Sequence, residues 1–324
     1  MHSKVKILSF ALVASCLCVI VSLALVETAL RLSGYEPWVM PARVAHDPMV
    51  YEPDAALGWR NKEGMFVLPP YQSAGKPIRL TFLPGGLRVT EEGRSGDGTR
   101  PKLICLGGSY TQGWAVSDDE TFAWKLQSKL PARKVLNYGT SAYGTYQSLL
   151  VLERLLPTLD SSAIILYGFT HFHEERNVAS SDWLETLARY SRRGHVFVPF
   201  ASLNREGLCR NAPESYPAWP LREHLVTVRL AEKAFMNVKA KRRTAQKTIV
   251  TEELILEMNR LCKERSVGFA VVLLHCYEDV KDHYLAFLKK NHVEVIDCSF
   301  AFLPGMTVPG EGHPNEKPHS LWAE

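Results

Sequence analysis

No Cys-x-x-Cys pair occurs in the 324 residues, so the 7 cysteines suggest neither a zinc ribbon nor a dithiol redox motif. Cys16 and Cys18 fall in an N-terminal apolar run. The other five are odd in number and widely spaced, which sets no disulfide framework and leaves room for a single bridge outside the cytoplasm. Cys105 sits in an apolar run and reads as a small core residue. Strong charge bias is also missing. With 38 Lys and Arg against 34 Asp and Glu, the net charge of +4 is too small to argue for nucleic acid, and no zinc-finger or RNA-binding signature occurs. No nucleic-acid partner is therefore expected. No internal repeat is present, and 46% hydrophobic with 22% charged residues is an ordinary globular mixture. The length suits one large domain with additions, or two modest ones.

Charge is absent altogether from Ile7 to Val26, twenty residues, the length that spans a bilayer core. Lys4 and Lys6 precede this run, which favours a cytoplasmic N-terminus and an exported remainder. A cleaved signal peptide is the rival, but its apolar region is usually shorter and no small-residue cleavage site precedes Glu27. "VASC", ending at Cys16, loosely resembles a lipoprotein site, yet ten more apolar residues follow it. Residues 1–26 are therefore expected to form a single-pass anchor, with the rest of the chain periplasmic or extracellular.

Residues 27–100 are rich in Pro, Gly and short apolar runs and read as a loop-and-strand prelude packed on the main domain. Within it, Ile78 to Val89 suggests two short strands around a Pro-Gly-Gly turn. From Pro101 the rhythm changes. Strands are expected at "KLICL", "KVLNY", "SAIILYGF", "GFAVVLLH" and "VEVID". Helices are expected over Glu120–Leu130, Tyr146–Leu156, 223–239, Thr251–Arg265 and Glu278–Lys290, with an aromatic-rich insertion at 178–222. Strands alternating with helices imply βαβ units and a parallel sheet covered on both faces. The expected fold is three-layer α/β/α of flavodoxin-like type with about five parallel strands, over residues 101–324. The one basic run, Lys239 to Arg243, reads as a solvated helix end.

The strand Leu103–Leu106 stops at Gly107-Gly108-Ser109. A serine there is either an ordinary turn residue or a nucleophile at the C-terminal edge of the sheet, where such folds keep their chemistry. A serine hydroxyl needs a base to take its proton, and that base needs a third group to orient it. "GEGHPNEKPHSLWAE" supplies both: His313 lies in a loop after the last strand, and Glu311 stands two residues earlier. That loop opens at the same sheet edge as Ser109.

Here the chain resembles the SGNH hydrolases, also called GDSL esterases, over about residues 101–324. Gly107-Gly108-Ser109, with Thr111 and Gly113, resembles the first block in a Gly-Gly-Ser variant. "LNYGTSAYGTYQ" resembles the second block and "GHPN" the fifth. "GWAVSDDETFAWKLQ", "DAALGWR" and "ETALRLSGYEP" are similar to segments of anchored bacterial members. The resemblance implies a serine esterase, or an acyltransferase using the same acyl-enzyme, with no cofactor. Its implied partners are the membrane and an ester substrate, acylated carbohydrate above all.

The departures matter. Gly108 replaces the family's Asp. Ala142 stands where a Gly amide usually serves the oxyanion, a role a backbone N–H keeps if Ala fits the local φ/ψ. The third block, which usually offers an Asn, reads "YGFTHFHEERN", with no Asn until Asn177. The stand-ins for its donor are His173 first, then His171 and Asn177. The family's acid position falls on Gly310, so Glu311 takes the role, with Asp297 the fallback. His275 ends a strand at the same edge and either lines the pocket or caps the strand. Two other readings stay open: a metal-dependent hydrolase using His171 and His173, and a non-catalytic, membrane-tethered carbohydrate-binding protein that keeps the fold.

Overall fold

The computed structural model describes every residue except 1, 41–48, 73–74, 94–98 and 192–195, and describes residues 2–6 and 8 by their backbone alone. The strands in chain order are β1 (Tyr51–Asp54), β2 (Gly58–Asn61), β3 (Gly64–Leu68), β4 (Ile78–Leu83), β5 (Leu87–Arg88), β6 (Lys102–Gly107), β7 (Lys134–Asn137), β8 (Ile164–Thr170), β9 (Val198–Asn204), β10 (Gly207–Glu214), β11 (Gly268–His275) and β12 (Glu294–Asp297). The helices are α1 (His2–Leu32), α2 (Ser109–Gln112), α3 (Phe122–Lys129), α4 (Thr145–Leu155), α5 (His173–Asn177), α6 (Ser181–Tyr190), α7 (Val226–Thr244), α8 (Lys247–Glu264), α9 (Glu278–Lys290) and α10 (Glu316–Trp322).

Five strands pair in parallel, in the spatial order β7-β6-β8-β11-β12. Counted along the chain this is the order 2-1-3-4-5, the flavodoxin-like arrangement. Both faces are covered, so β6 is apolar without a break from Leu103 to Leu106. Its Ile104 and Leu106 face a core built with α4, α8 and α9. Leu103 and Cys105 face the opposite core, with Phe122 of α3 and Trp322 of α10. The fold is therefore three-layer α/β/α, as the rhythm of the sequence predicts.

The segment ahead of Pro101 joins this sheet. β3, β4 and β5 extend it antiparallel beyond β7, and β4 and β5 flank Pro84-Gly85-Gly86. The β1–β2 hairpin packs elsewhere, with Trp59 joining a cluster of Trp38, Leu57, Tyr143 and Tyr216. The stretch 178–222 contains α6 and the β9–β10 hairpin, whose Val198 and Phe200 enter the same cluster. His195, at the start of one aromatic-rich part of this insertion, lies outside the described residues.

The apolar helix α1 does not stop at Val26. It runs on to Leu32, with Ser9–Leu32 long and apolar enough to cross a membrane. Its last turns are tied to the body of the protein. The Glu27 carboxylate accepts hydrogen bonds from the amides of Val226 and Thr227, both at 2.9 Å, satisfying two orphan donors at the start of α7. At the far end of α7, Lys239 and Arg243 of the basic run pair with Glu214.

Candidate active site

In a sheet of this order, ligands bind outside the carboxyl ends of the strands, where the connection direction reverses. That point lies between β6 and β8. The loop after β6 carries Ser109, the loop after β7 carries Ala142, and α5 follows β8. The two glycines before Ser109 have separate reasons. A Cβ on Gly107, whose φ is +151°, would lie 2.2 Å from Thr111 Oγ1. A Cβ on Gly108 would meet His173 Nε2 at 2.9 Å, Arg176 Nη1 at 3.1 Å and the Tyr143 carbonyl at 3.1 Å. The place of the family's Asp side chain is thus filled from α5.

Ser109 is the first residue of α2 and is 4% exposed. Its Oγ lies 2.9 Å from His313 Nε2. On the other side of the ring, Nδ1 lies 2.7 and 2.9 Å from the two Glu311 carboxylate oxygens. A carboxylate only accepts, so Nδ1 carries the proton and Nε2 presents its lone pair to the serine hydroxyl. A tight turn holds the pair together: Val308 N donates to His313 O at 2.7 Å, and Gly312 N to Val308 O at 2.9 Å. Glu311 also accepts from the His313 amide at 2.7 Å and from Trp114 Nε1 at 3.1 Å. Burial pushes its carboxyl up, but the bonds from His313 and Trp114 outweigh that and hold it below its ordinary value.

The loop that follows α2 has its own anchor. Arg88 is fully buried and donates to the carbonyls of Gln112 (3.1 Å), Gly113 (2.6 Å), Val116 (2.8 Å) and Arg79 (3.2 Å), while its Nε reaches Asp118 at 3.2 Å. This clamp sets the position of Trp114, and through it of Glu311. Nothing in the sequence signals the clamp, because a lone Arg in an alternating strand reads as solvent-facing.

Ala142 has φ +70°, the left-handed region that a glycine would occupy without cost. The chain around it is braced by Trp59, whose Nε1 donates to Ser141 O at 3.0 Å, and by Tyr143, whose hydroxyl donates to Trp59 O. Among the described residues, neither the Ser109 amide nor the Ala142 amide has an acceptor. Two donors thus stand free beside the serine.

The expected third donors are placed otherwise. His173 is fully buried, with Nδ1 2.7 Å from the Tyr167 hydroxyl, which donates to Thr145 at 2.7 Å. In that arrangement Nδ1 is the donor and Nε2 an acceptor. Nε2 is also buried and has no hydrogen-bond partner among the described residues, and with the proton on Nδ1 it has no donor to offer an oxyanion. Burial, with Arg176 and His171 nearby, keeps the ring neutral. Asn177 is spent on structure: Oδ1 accepts from the Tyr146 amide at 3.0 Å at the start of α4, and Nδ2 donates to Thr145 and Thr251. His171 turns toward the His275 carbonyl at 3.4 Å.

Asp297, the fallback acid, is exposed at the end of β12 and accepts from the Ser299 amide at 3.0 Å. His275 stacks on Phe302, lies tilted against Tyr110 and belongs to the aromatic wall of the site. For a metal at His171 and His173 the third ligand is missing. Among the described residues, no three His, Cys, Asp or Glu side chains are grouped to hold an ion.

No family model matches the chain, and no curated protein matches it. Among solved structures it is similar to a member of the lipolytic protein G-D-S-L family from Veillonella parvula DSM 2008, at 12% identity, over 68% of this chain and 93% of that one, with a TM-score of 0.41. A G-D-S-L family protein from Desulfitobacterium hafniense DCB-2 is similar at 10% identity over 69% and 96% of the two chains, with a TM-score of 0.40. A mutant of the esterase AlinE4 is similar at 11% identity over 61% and 76%, with a TM-score of 0.32. Strand order and helix placement, rather than these scores, carry the fold assignment, and the serine–histidine–carboxylate geometry is this chain's own.

Proposed function

We propose that the protein is a serine hydrolase of ester bonds that works through an acyl-enzyme on Ser109. The observation that carries this is the unbroken chain from Ser109 Oγ to His313 Nε2 (2.9 Å) and from His313 Nδ1 to Glu311 (2.7 Å). Ser109 Oγ bonds to the ester carbonyl carbon as its proton passes to Nε2. The carbonyl π pair moves to oxygen, where the Ser109 and Ala142 amides receive the charge. The pair then returns, the bond to the alcohol breaks, and His313 gives the alcohol its proton. Water, or an acceptor hydroxyl in a transferase, repeats the sequence on the acyl-enzyme. Acid–base catalysis of this kind supplies about 10²–10⁴ in rate, and an oxyanion donor about 10²–10³.

Acylated carbohydrate is the substrate class that the rim suits. From His313 an aromatic surface runs through Tyr110 to Phe172, His171 and Tyr277, with ring centroids 3.9–6.4 Å apart. Phe172 is 39% and Tyr277 62% exposed, which offers flat faces to the C–H side of a sugar ring. The apolar helix α1 supports a membrane-anchored protein with its catalytic part on the outer side. It should then resist a carbonate wash and be open to protease from that side.

The test is hydrolysis of a short-chain nitrophenyl ester by the full chain in detergent. Ser109→Ala and His313→Ala should each remove nearly all activity, because the groups act as a unit. A folded wild-type protein that hydrolyses no ester favours the carbohydrate-binding alternative.

A further inference from the structure

The hydrolase reading above leaves the third oxyanion position open, and an unpaired cation stands beside it. We propose that Arg176 is the third oxyanion donor: a guanidinium N–H joins the amides of Ser109 and Ala142 around the substrate's carbonyl oxygen. The assignment rests on the serine-hydrolase reading and deepens it.

Position is the first argument. Arg176 Nη1 lies 3.1 Å from where a Gly108 Cβ would sit, and it donates to the Tyr143 carbonyl at 2.9 Å. Gly108 precedes Ser109 and Tyr143 follows Ala142, so one guanidinium is bonded to the Ala142 loop and lies beside the Ser109 loop.

Charge is the second argument. No carboxylate of the described residues pairs with Arg176, and its Nε is buried without an acceptor. The neighbouring acids are committed elsewhere: Glu175 to Lys247, and Glu174 to Lys247 and the Tyr284 hydroxyl. Its surroundings are neutral. Phe172 and Trp183 present rings to it at 5.7 and 4.7 Å, and Tyr110, Tyr167, His171 and His173 stand close by. Arg176 is half-buried, and a cation partly withdrawn from water without a counter-charge is costly and is best placed where an anion forms transiently. Burial lowers its pKa only to about 10, so it stays charged at neutral pH. During attack Arg176 keeps all its protons. The carbonyl π pair moves onto oxygen, the serine proton goes to His313, and the new O⁻ accepts from the guanidinium N–H.

Elimination is the third argument. His173 Nε2 is buried and has no proton to donate, Asn177 has no donor to spare, and His171 faces His275. Of the polar side chains of α5 near Gly108, Arg176 is the one that still carries N–H donors between the two loops.

The test compares wild type, Arg176→Met and Arg176→Lys in full-length protein, using neutral nitrophenyl acetate and a fluorophosphonate that labels serine nucleophiles. Arg176→Met should lower kcat and the labelling rate by about 10²–10³ while KM changes little. Arg176→Lys keeps a cation but loses the fork, and should fall between the two. Its kcat should also decline at a lower pH than the wild type's, because a buried lysine loses its proton more readily than arginine. If the Met variant fails to fold, that alkaline decline decides. A folded Arg176→Met variant with unchanged kcat overturns the assignment, as does a Lys variant with the wild-type pH profile. A variant that spares neutral esters and loses only KM for esters bearing a carboxylate also overturns it, since Arg176 would then read substrate charge. A wild type that neither labels nor turns over defeats the parent reading with it; one that does both beside an equally active Met variant defeats the Arg176 assignment alone.

Discussion

Replacing Arg88 by Met removes a side chain that is fully buried and makes five hydrogen bonds, four to carbonyls and one to Asp118. Met fills most of the volume, so packing is not the main loss. The loss is electrostatic. Asp118 is 2% exposed, and without Arg88 its charge keeps only the Thr81 amide at 2.9 Å and the half-exposed Arg79 at 3.4 Å. Breaking one side of a buried pair costs about 3–5 kcal/mol. The residual contacts of Asp118 argue for the lower end, and the four abandoned carbonyls push the other way. At roughly 2–4 °C per kcal/mol for a domain of this size, the melting temperature should fall by about 10 °C. Asp118→Asn in the same background removes the stranded charge, so the double variant should be less destabilised than the sum of the two singles. Thermal unfolding of the detergent-solubilised chain, followed by tryptophan fluorescence, measures all four corners of the cycle. Esterase activity should fall as well, because the 112–118 loop carries Trp114 to Glu311. An Arg88→Met protein that melts within about 2 °C of wild type would refute the clamp.

Glu311→Gln should lower kcat by about 10²–10⁴, less than loss of the serine, with Ser109 still in place. Its carboxyl is held below the ordinary value near 4.5, so its stabilising contribution is present above that pH and is lost as the pH falls through the lower, folded value. The stability gap between wild type and Glu311→Gln should therefore be present at pH 5 and close as the pH falls below about 4.5; a gap that stays constant to pH 3 would contradict the hydrogen bonds described. Ala142→Gly relieves a left-handed alanine, worth about 1–2 kcal/mol, and gives back about 0.4–1 kcal/mol in unfolded-chain entropy. The variant should be as stable as wild type or up to about 1.6 kcal/mol more so, with activity kept; clear destabilisation in urea unfolding would show that the alanine methyl matters more than its φ.

Periodicity carried the larger part of the fold. The five parallel strands and α3, α4, α8 and α9 lie within a few residues of where alternation and helical spacing put them, because both faces of the sheet are buried and the pattern is strong. The pieces that escaped are those whose partners are distant in sequence. β3 to β5 gain meaning only by extending the sheet past β7, and the β9–β10 hairpin sits in a stretch without clear period. In the site, Ser109, His313 and Glu311 were legible because nucleophile, base and orienting acid follow from the chemistry of serine and from block order. For His173 and Asn177 the sequence shows the donor chemistry and not the partners. Their donor chemistry suits an oxyanion, but burial commits them to Tyr167, Thr145 and Thr251. Arg176 is unmarked in the sequence, since an arginine in "HEERN" reads as one more charge on a solvated helix until the structure shows no carboxylate of the described residues paired with it.

Covalent trapping tests most directly whether Ser109 is a nucleophile. Wild-type protein should be treated with a fluorophosphonate, weighed intact, and digested to map the adduct. The prediction is one phosphonyl group per chain on Ser109, absent from Ser109→Ala and formed far more slowly in His313→Ala. An unmodified wild-type protein, or an adduct that maps elsewhere and survives Ser109→Ala, would contradict it.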